Sequence, residues 1–135
     1  RKNIIIYGHN MRNKTMFGSL KDYKDIKFYK KHKYIQFDTL YKRQTFEIIS
    51  VSKVSGNPIK GEYWIYKDVE LNSKEEFNKY IENVKKRAYY NINTTASYSD
   101  KLITLSTCDG NERLIIVAKK QKNSKMQKGG MFYEE

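Results

Sequence analysis

Two segments rich in β-branched residues, separated by a short turn, constrain the fold of this 135-residue chain more than any other feature. They span Leu102–Cys108 and Arg113–Lys119, and the intervening DGNE contains the Asp-Gly pair typical of β-hairpins. If DGNE is a four-residue loop, Cys108 and Arg113 are directly opposed, with Cβ atoms roughly 4.5–5.5 Å apart. The sequence therefore predicts a hairpin whose closed end brings a thiol and a guanidinium together.

The rest of the pattern predicts a mostly β protein of the α+β class. The segment Thr45–Val54 alternates well enough for a strand, with apolar residues at Phe46 and Ile48 and, less regularly, at Ile49 and Val51. Turn-forming residues in SGNPIKG follow this segment. The predicted strands besides the hairpin are Lys2–Tyr7, Tyr34–Thr39, Thr45–Val54 and Tyr63–Tyr66.

Helices are predicted in two regions. Ser73–Ala88 begins with Ser73 and Glu76 in the spacing of a capping box, in which each side chain accepts from the other's backbone N–H. It continues with an apolar stripe, and its acidic residues come first and its basic residues last, as the helix dipole favours. A shorter helix is predicted over Met16–Tyr23 with Thr15 as its cap, followed by a further turn in DIKFYKK.

The charge of the chain restricts its partners without choosing one. Lys and Arg number 27 against 15 Asp and Glu, which gives a formal charge of +12 and favours contact with anionic polymers or lipids. The basic residues are spread along the chain with no compact block, which argues against a nucleic-acid site.

The organisation predicted is one domain over residues 1–120 and a polar tail over 121–135. No apolar stretch reaches the ~18 residues of a membrane span. Because the chain opens inside an apolar strand, we expect a preceding segment that could carry an export signal or anchor. A single cysteine excludes an internal disulfide.

Cys108 and Arg113 allow a catalytic and a structural interpretation. An arginine beside a thiol favours the thiolate and can stabilise the oxyanion formed when sulfur attacks a carbonyl. A lone cysteine near a strand end can equally be a small buried apolar residue, and the arginine a surface cation. His9 favours catalysis, because it follows Gly8 at the end of a strand and can meet a distant cysteine in space. His32 lies among charged residues and is predicted to be exposed and uninvolved.

Neighbours of the thiol are assigned by strand alternation. Ser106 shares the face of Cys108 and is a candidate for the lining of a substrate groove, while Thr107 points away. Asp109 either orients Arg113 or begins the turn, and the turn is the preferred interpretation. One cysteine and two distant histidines lack the ligand spacing of a zinc site, and no metal or cofactor is expected.

These motifs together resemble class B sortases, the cysteine transpeptidases of Gram-positive cell walls. TLSTC matches the family's TLxTC signature, and YGHNM, MFGSLKDYKD and ERLIIVAK match its histidine, helix and arginine segments. The resemblance covers the chain to about Lys120 and implies a sortase-like β-barrel that is incomplete at its N-terminal side. It also implies a helix after the histidine loop and a long helix before the cysteine strand. Class B relatives often have a longer loop before the arginine than DGNE.

The resemblance implies a mechanism and a location. Cys108 would attack the threonine carbonyl of a sorting motif, Arg113 would bind the oxyanion or the substrate backbone, and His9 would move the proton. The partners implied are surface proteins bearing sorting motifs and a peptidoglycan amine, at the extracellular face of a membrane to which an N-terminal segment anchors the enzyme. An anionic wall or membrane surface would suit the basic charge.

Two alternatives are compatible with the sequence. Twelve tyrosines among many lysines would allow a basic module that binds nucleic acid or another anionic polymer. An inactive sortase-like scaffold would keep the motifs but have an unreactive thiol.

Overall fold

A computed structural model describes residues 3–8, 16–38, 40–55 and 71–122, which form a five-stranded sheet with helices on both faces. The elements in chain order are β1 (Asn3–Gly8), a 3-10 helix (Met16–Lys24), α1 (Ile26–Lys31), β2 (Tyr34–Asp38), β3 (Arg43–Ser55), α2 (Lys74–Lys86), β4 (Leu102–Asp109) and β5 (Glu112–Lys120).

The sheet is mixed and open. Its strand order is β1-β4-β5-β3-β2, with β1 parallel to β4 and all other pairs antiparallel. Within the described residues β1 and β2 are edge strands, so the sheet does not close on itself. The predicted mostly β fold with an incomplete barrel is therefore confirmed.

A β-bulge in β3 explains the irregular alternation seen in the sequence. The pairing of β3 with β5 shifts between Ile48 and Ser50, which leaves Ile49 as the extra residue. Phe46, Ile48 and Val51 consequently pack in one core cluster, while Ile49 packs in the cluster on the opposite face. One extra residue thus lets β3 supply buried apolar side chains to both layers.

Helix α2 covers one face of the sheet and begins where the sequence predicts. The Ser73 hydroxyl accepts a hydrogen bond from the Glu76 N–H at 3.1 Å, a cap of the kind that contributes roughly 1 kcal/mol. The reciprocal bond differs from the prediction, because the Glu76 carboxylate accepts from the N–H of Asn72 and not of Ser73. The helix ends at Lys86, two residues before the predicted end, and Ala88 instead forms a bridge to Ser52 of β3.

Lys85 connects the end of α2 by hydrogen bonds to the bulge in β3 and to the segment that precedes β4. Its ammonium donates to the backbone oxygens of Ile49, Ile92 and Thr94 at 3.1, 2.8 and 2.7 Å. Burial lowers the pKa of Lys85 from its usual value. The three carbonyls satisfy all three donors of this half-buried cation.

The opposite face is covered by the 3-10 helix and α1. The predicted helix over Met16–Tyr23 is a 3-10 helix that ends at Lys24, and its Leu20 and Tyr23 are buried. The Tyr23 hydroxyl donates to the backbone oxygen of His32 at 2.7 Å, which fixes the end of α1 against the 3-10 helix. His32 is exposed, as predicted, and its ring stacks on Phe28.

Some predictions fall outside the described residues. These are the cap Thr15, the strand Tyr63–Tyr66, the catalytic candidate His9 and the tail beyond residue 122. Gln121 is described and bonds to β3, through its N–H to the Thr45 oxygen and its side chain to Glu47. The domain boundary between residues 120 and 121 stays a prediction.

Candidate active site

The hairpin of β4 and β5 places Cys108 and Arg113 directly opposite each other. Asp109 pairs with Glu112, so the turn consists of Gly110 and Asn111 and is two residues shorter than the predicted four-residue loop. Gly110 has a φ of +66°, a conformation that residues with a Cβ rarely adopt, which explains the glycine in this turn. The shorter turn does not change the register, and the opposed pair forms as predicted.

The guanidinium of Arg113 holds the site together by two hydrogen bonds. Its Nη1 donates to Cys108 Sγ at 3.1 Å, and its Nε donates to Ser106 Oγ at 2.8 Å. Ser106 and Cys108 thus share a face of β4, as alternation predicts. Cys108 is exposed, Arg113 is half-buried and Ser106 is fully buried. An accessible sulfur therefore lies beside a guanidinium whose orientation is fixed by its hydrogen bond to the buried Ser106 hydroxyl.

Strand β1 ends at the same level as the hairpin. Gly8, its last residue, pairs with Thr107, the residue before Cys108. His9 follows Gly8 in the sequence, and it lies outside the described residues. The parallel pairing of β1 with β4 is thus compatible with a histidine near the thiol, and the participation of His9 stays a prediction.

Asp109 contacts a lysine that the sequence analysis did not single out. Its carboxylate accepts from Lys24 Nζ at 2.6 Å, and Lys21 Nζ lies 3.9 Å away. The hydrogen bond to Asp109 is the main reason why the pKa of Lys24 is raised. The one feature of the sequence that could have indicated this contact is the spacing of Lys21 and Lys24, which places both on one face of a 3-10 helix. Nothing local in the sequence identifies a partner 85 residues away.

Comparison with known proteins decides the family. The model of the sortase domain matches residues 1–121. The chain belongs to the sortase family. Sortase B of Staphylococcus aureus is 30% identical over 122 residues, covering 87% of this chain and 48% of the relative. Sortase B of Listeria monocytogenes is 33% identical over 108 residues, covering 80% of this chain and 42% of the relative.

Solved structures agree with the sequence relatives. A crystal structure of sortase B complexed with triglycine superposes with a TM-score of 0.74 and 29% identity, covering 91% of this chain and 57% of that one. The predicted membership of class B is confirmed by these sortase B relatives. The chain spans about half the length of the curated sortase B relatives that it matches.

A buried polar chain beneath α2 supports the strand that carries the sortase cysteine signature. Thr104 Oγ1 donates to Asn3 Oδ1 at 2.9 Å and lies 2.9 Å from the Tyr80 hydroxyl. Because the Thr104 hydroxyl has one proton, Tyr80 must donate to it. All three side chains are buried, and together they connect α2, β4 and β1.

We expect Thr104→Val to destabilise the sortase fold by about 1–3 kcal/mol, because it leaves the buried Asn3 carbonyl without its donor at nearly unchanged volume. Urea unfolding followed by circular dichroism measures this loss. Thr94→Val is the matched control, since its hydroxyl makes a longer, half-buried contact of 3.3 Å to Glu47 and should cost clearly less. Equal midpoints for Thr104→Val and the unmodified chain would contradict the assigned role.

None of the helices in the described part of the chain is long and apolar enough to span a membrane. Within the same residues, no group of three or more His, Cys, Asp or Glu side chains could bind a metal ion.

Proposed function

We propose that this chain is the catalytic part of a cysteine transpeptidase that cleaves a sorting motif and transfers the acyl group to a cell-wall amine. The observation that carries the proposal is the 3.1 Å contact between Arg113 Nη1 and an exposed Cys108 Sγ in a chain of the sortase family. A positive donor beside the only thiol is the arrangement that acyl transfer through sulfur needs.

In the first half-reaction, the Cys108 thiolate attacks the carbonyl carbon of the threonine in the motif and forms a C–S bond. The carbonyl oxygen takes the electron pair and becomes an oxyanion, to which Arg113 donates. When the tetrahedral species collapses, the C–N bond breaks and the leaving amine takes a proton from His9. A thioester on Cys108 remains.

In the second half-reaction, an incoming amine attacks the thioester and His9 accepts its proton. The C–S bond breaks and the thiolate is regenerated, so that one difficult amide exchange becomes two easier steps. An imidazole suits both transfers because its ordinary pKa lies near neutral pH.

Ser106 has a role that follows from its contact with Arg113. Its hydroxyl accepts from Nε, which leaves Nη1 directed at the sulfur and at any oxygen bonded to the attacked carbon. Ser106 thereby orients the guanidinium. We also propose that Ser106 contributes to substrate binding, because it lies on the same face of β4 as Cys108.

The partners and the location are part of the same proposal, and the sortase relatives support them. Substrates are surface proteins with a sorting motif, the acceptor is a peptidoglycan amine, and the enzyme works at the extracellular face of a membrane to which it is anchored. The charge of +12 suits an anionic wall or lipid surface. The related sortase B bound to triglycine supports a glycine amine as a probe of the acceptor site.

A panel of quenched fluorescent sorting peptides, each with threonine at the scissile carbonyl, tests the function with triglycine as acceptor. We expect one motif to be cleaved and the triglycine adduct to appear by mass spectrometry. Intact-mass analysis should also detect the thioester on the enzyme when triglycine is omitted. The absence of both the adduct and the thioester for every motif would refute the proposal and favour an inactive scaffold.

Binding of single-stranded oligonucleotides, measured in parallel, tests the alternative of a basic binding module. We expect only weak binding that disappears at moderate salt concentration, because the basic residues form no compact block. Tight binding that is unaffected by Cys108→Ala would favour this alternative.

A further inference from the structure

An ion pair connects the hairpin turn to the 3-10 helix on the face of the sheet opposite the thiol. Lys24 Nζ lies 2.6 Å from Asp109 Oδ2, and the Asp109 side chain is only 19% exposed. Alternation places Asp109 on the opposite face from Cys108, where the 3-10 helix packs. The pair therefore joins the residue directly after the nucleophile to another structural layer.

The 3-10 helix is the first described element after His9 in the chain. Its position is fixed by the buried side chains of Leu20 and Tyr23, and by the Tyr90 hydroxyl, which donates to the Tyr23 backbone oxygen at 2.5 Å. A contact between this helix and the hairpin turn consequently joins the end of the hairpin, which carries the proposed nucleophile, to a fixed element on the opposite face of the sheet.

We propose that Lys24 is a positioning residue: through Asp109 it holds the turn of β4 and β5 against the 3-10 helix, and so fixes the end of the hairpin that carries Cys108 and Arg113. This proposal rests on the proposed transpeptidase function. It adds a residue that acts through another side chain and touches neither the substrate nor the reacting atoms.

Charge and surroundings support the ion pair. Lys24 Nζ lies 6.0 Å from the centre of the Tyr89 ring, and Tyr89 is fixed by its N–H, which donates to the Val51 oxygen at 2.8 Å. Lys21 adds a second, more distant cation to the same carboxylate. Because Lys24 is substantially exposed, the pair should contribute little to global stability, and its effect should be on geometry.

The same turn offers a matched control. Lys53 Nζ lies 3.8 Å from Glu112, the residue paired with Asp109, and 5.9 Å from the same Tyr89 ring. Lys53 belongs to β3 and both members of this pair are about half exposed. Lys53→Met thus removes a lysine that contacts the same end of the hairpin, without affecting the contact of Asp109 with the 3-10 helix.

Kinetics with the cleaved sorting peptide compare Lys24→Met, Lys24→Arg and Lys53→Met. For Lys24→Met we expect kcat to fall about 3- to 5-fold with KM and the thermal midpoint unchanged, the size of a lost exposed ion pair. Lys24→Arg should restore most of kcat, and Lys53→Met should stay within about 2-fold of the unmodified chain. Equal losses in Lys24→Met and Lys53→Met would overturn the proposal.

Amide hydrogen exchange separates failure of this proposal from failure of the proposed function. If the unmodified chain cleaves no peptide, the transpeptidase assignment fails, yet exchange at Gly110 and Asn111 still reports whether Lys24 holds the turn. We expect Lys24→Met to accelerate exchange there at least about 3-fold and Lys53→Met to leave it unchanged. Unchanged exchange in both variants would refute the positioning role.

Discussion

Replacing Cys108 with alanine is expected to abolish peptide cleavage and transfer to triglycine, with a loss of at least about 10⁴-fold in kcat. The reason is that Cys108 is the only cysteine in the chain and its sulfur is exposed. Without it no thioester can form. Initial rates in the peptide assay, together with intact-mass detection of the thioester, measure the effect.

The control for this variant is Thr107→Ser, at the neighbouring position on the opposite face of β4. Thr107 is buried and contributes no group to the proposed chemistry, so cleavage should stay within a few-fold of the unmodified chain. Circular dichroism should show the same fold for both variants. Cleavage that survives Cys108→Ala would remove the assigned nucleophile and with it the mechanism.

The second large effect is expected for Arg113→Lys, which should lower kcat about 10²- to 10³-fold. A lysine keeps the charge but lacks the planar fork that reaches Ser106 Oγ and Cys108 Sγ at the same time. The lysine ammonium therefore cannot be oriented by Ser106 and donate to the oxyanion at the same time. Steady-state kcat and KM, and the rate of thioester formation in a single turnover, locate the loss in the chemical step.

Arg87→Lys is the matched control for the arginine substitution. Arg87 also donates through Nη1, but to the backbone and side-chain oxygens of Asn83 at the end of α2. Its replacement should change kcat by less than about 2-fold. If Arg113→Lys retained most of the activity, the guanidinium would be no more than a surface cation beside the thiol.

The hairpin of β4 and β5 and the start of α2 could be predicted from the sequence, because each depends on interactions between residues close together in the chain. The Asp-Gly turn and its β-branched flanks indicated the hairpin, and the register then fixed the pairing of Cys108 with Arg113. Ser73 at its capping position indicated the start of α2. The irregular alternation around Ile49 was the sequence trace of the bulge. It did not predict the bulge, because a single inserted residue can be recognised only once its partner strand is known.

Contacts between distant parts of the chain were beyond such patterns. The parallel pairing of β1 with β4 joins residues near positions 3 and 102, and no local propensity selects that neighbour. The pairing of Lys24 with Asp109 has the same origin, because each of these charges has many possible partners among the 27 basic and 15 acidic side chains. The resemblance to sortases supplied the role of His9, whose own placement lies outside the described residues.

The position of β4 within the sheet has a consequence for how the protein reaches its folded state. β4 pairs with β1 on one side and β5 on the other, so the first and last described strands flank it. The pairing of β1 with β4 joins residues about 100 positions apart. Contacts of such large sequence separation form slowly, because closing the intervening chain costs entropy before the contacts contribute any stabilisation. We therefore expect the local hairpin of β4 and β5 to form before β4 pairs with β1, so that the strand carrying the thiol acquires its second neighbour late in folding.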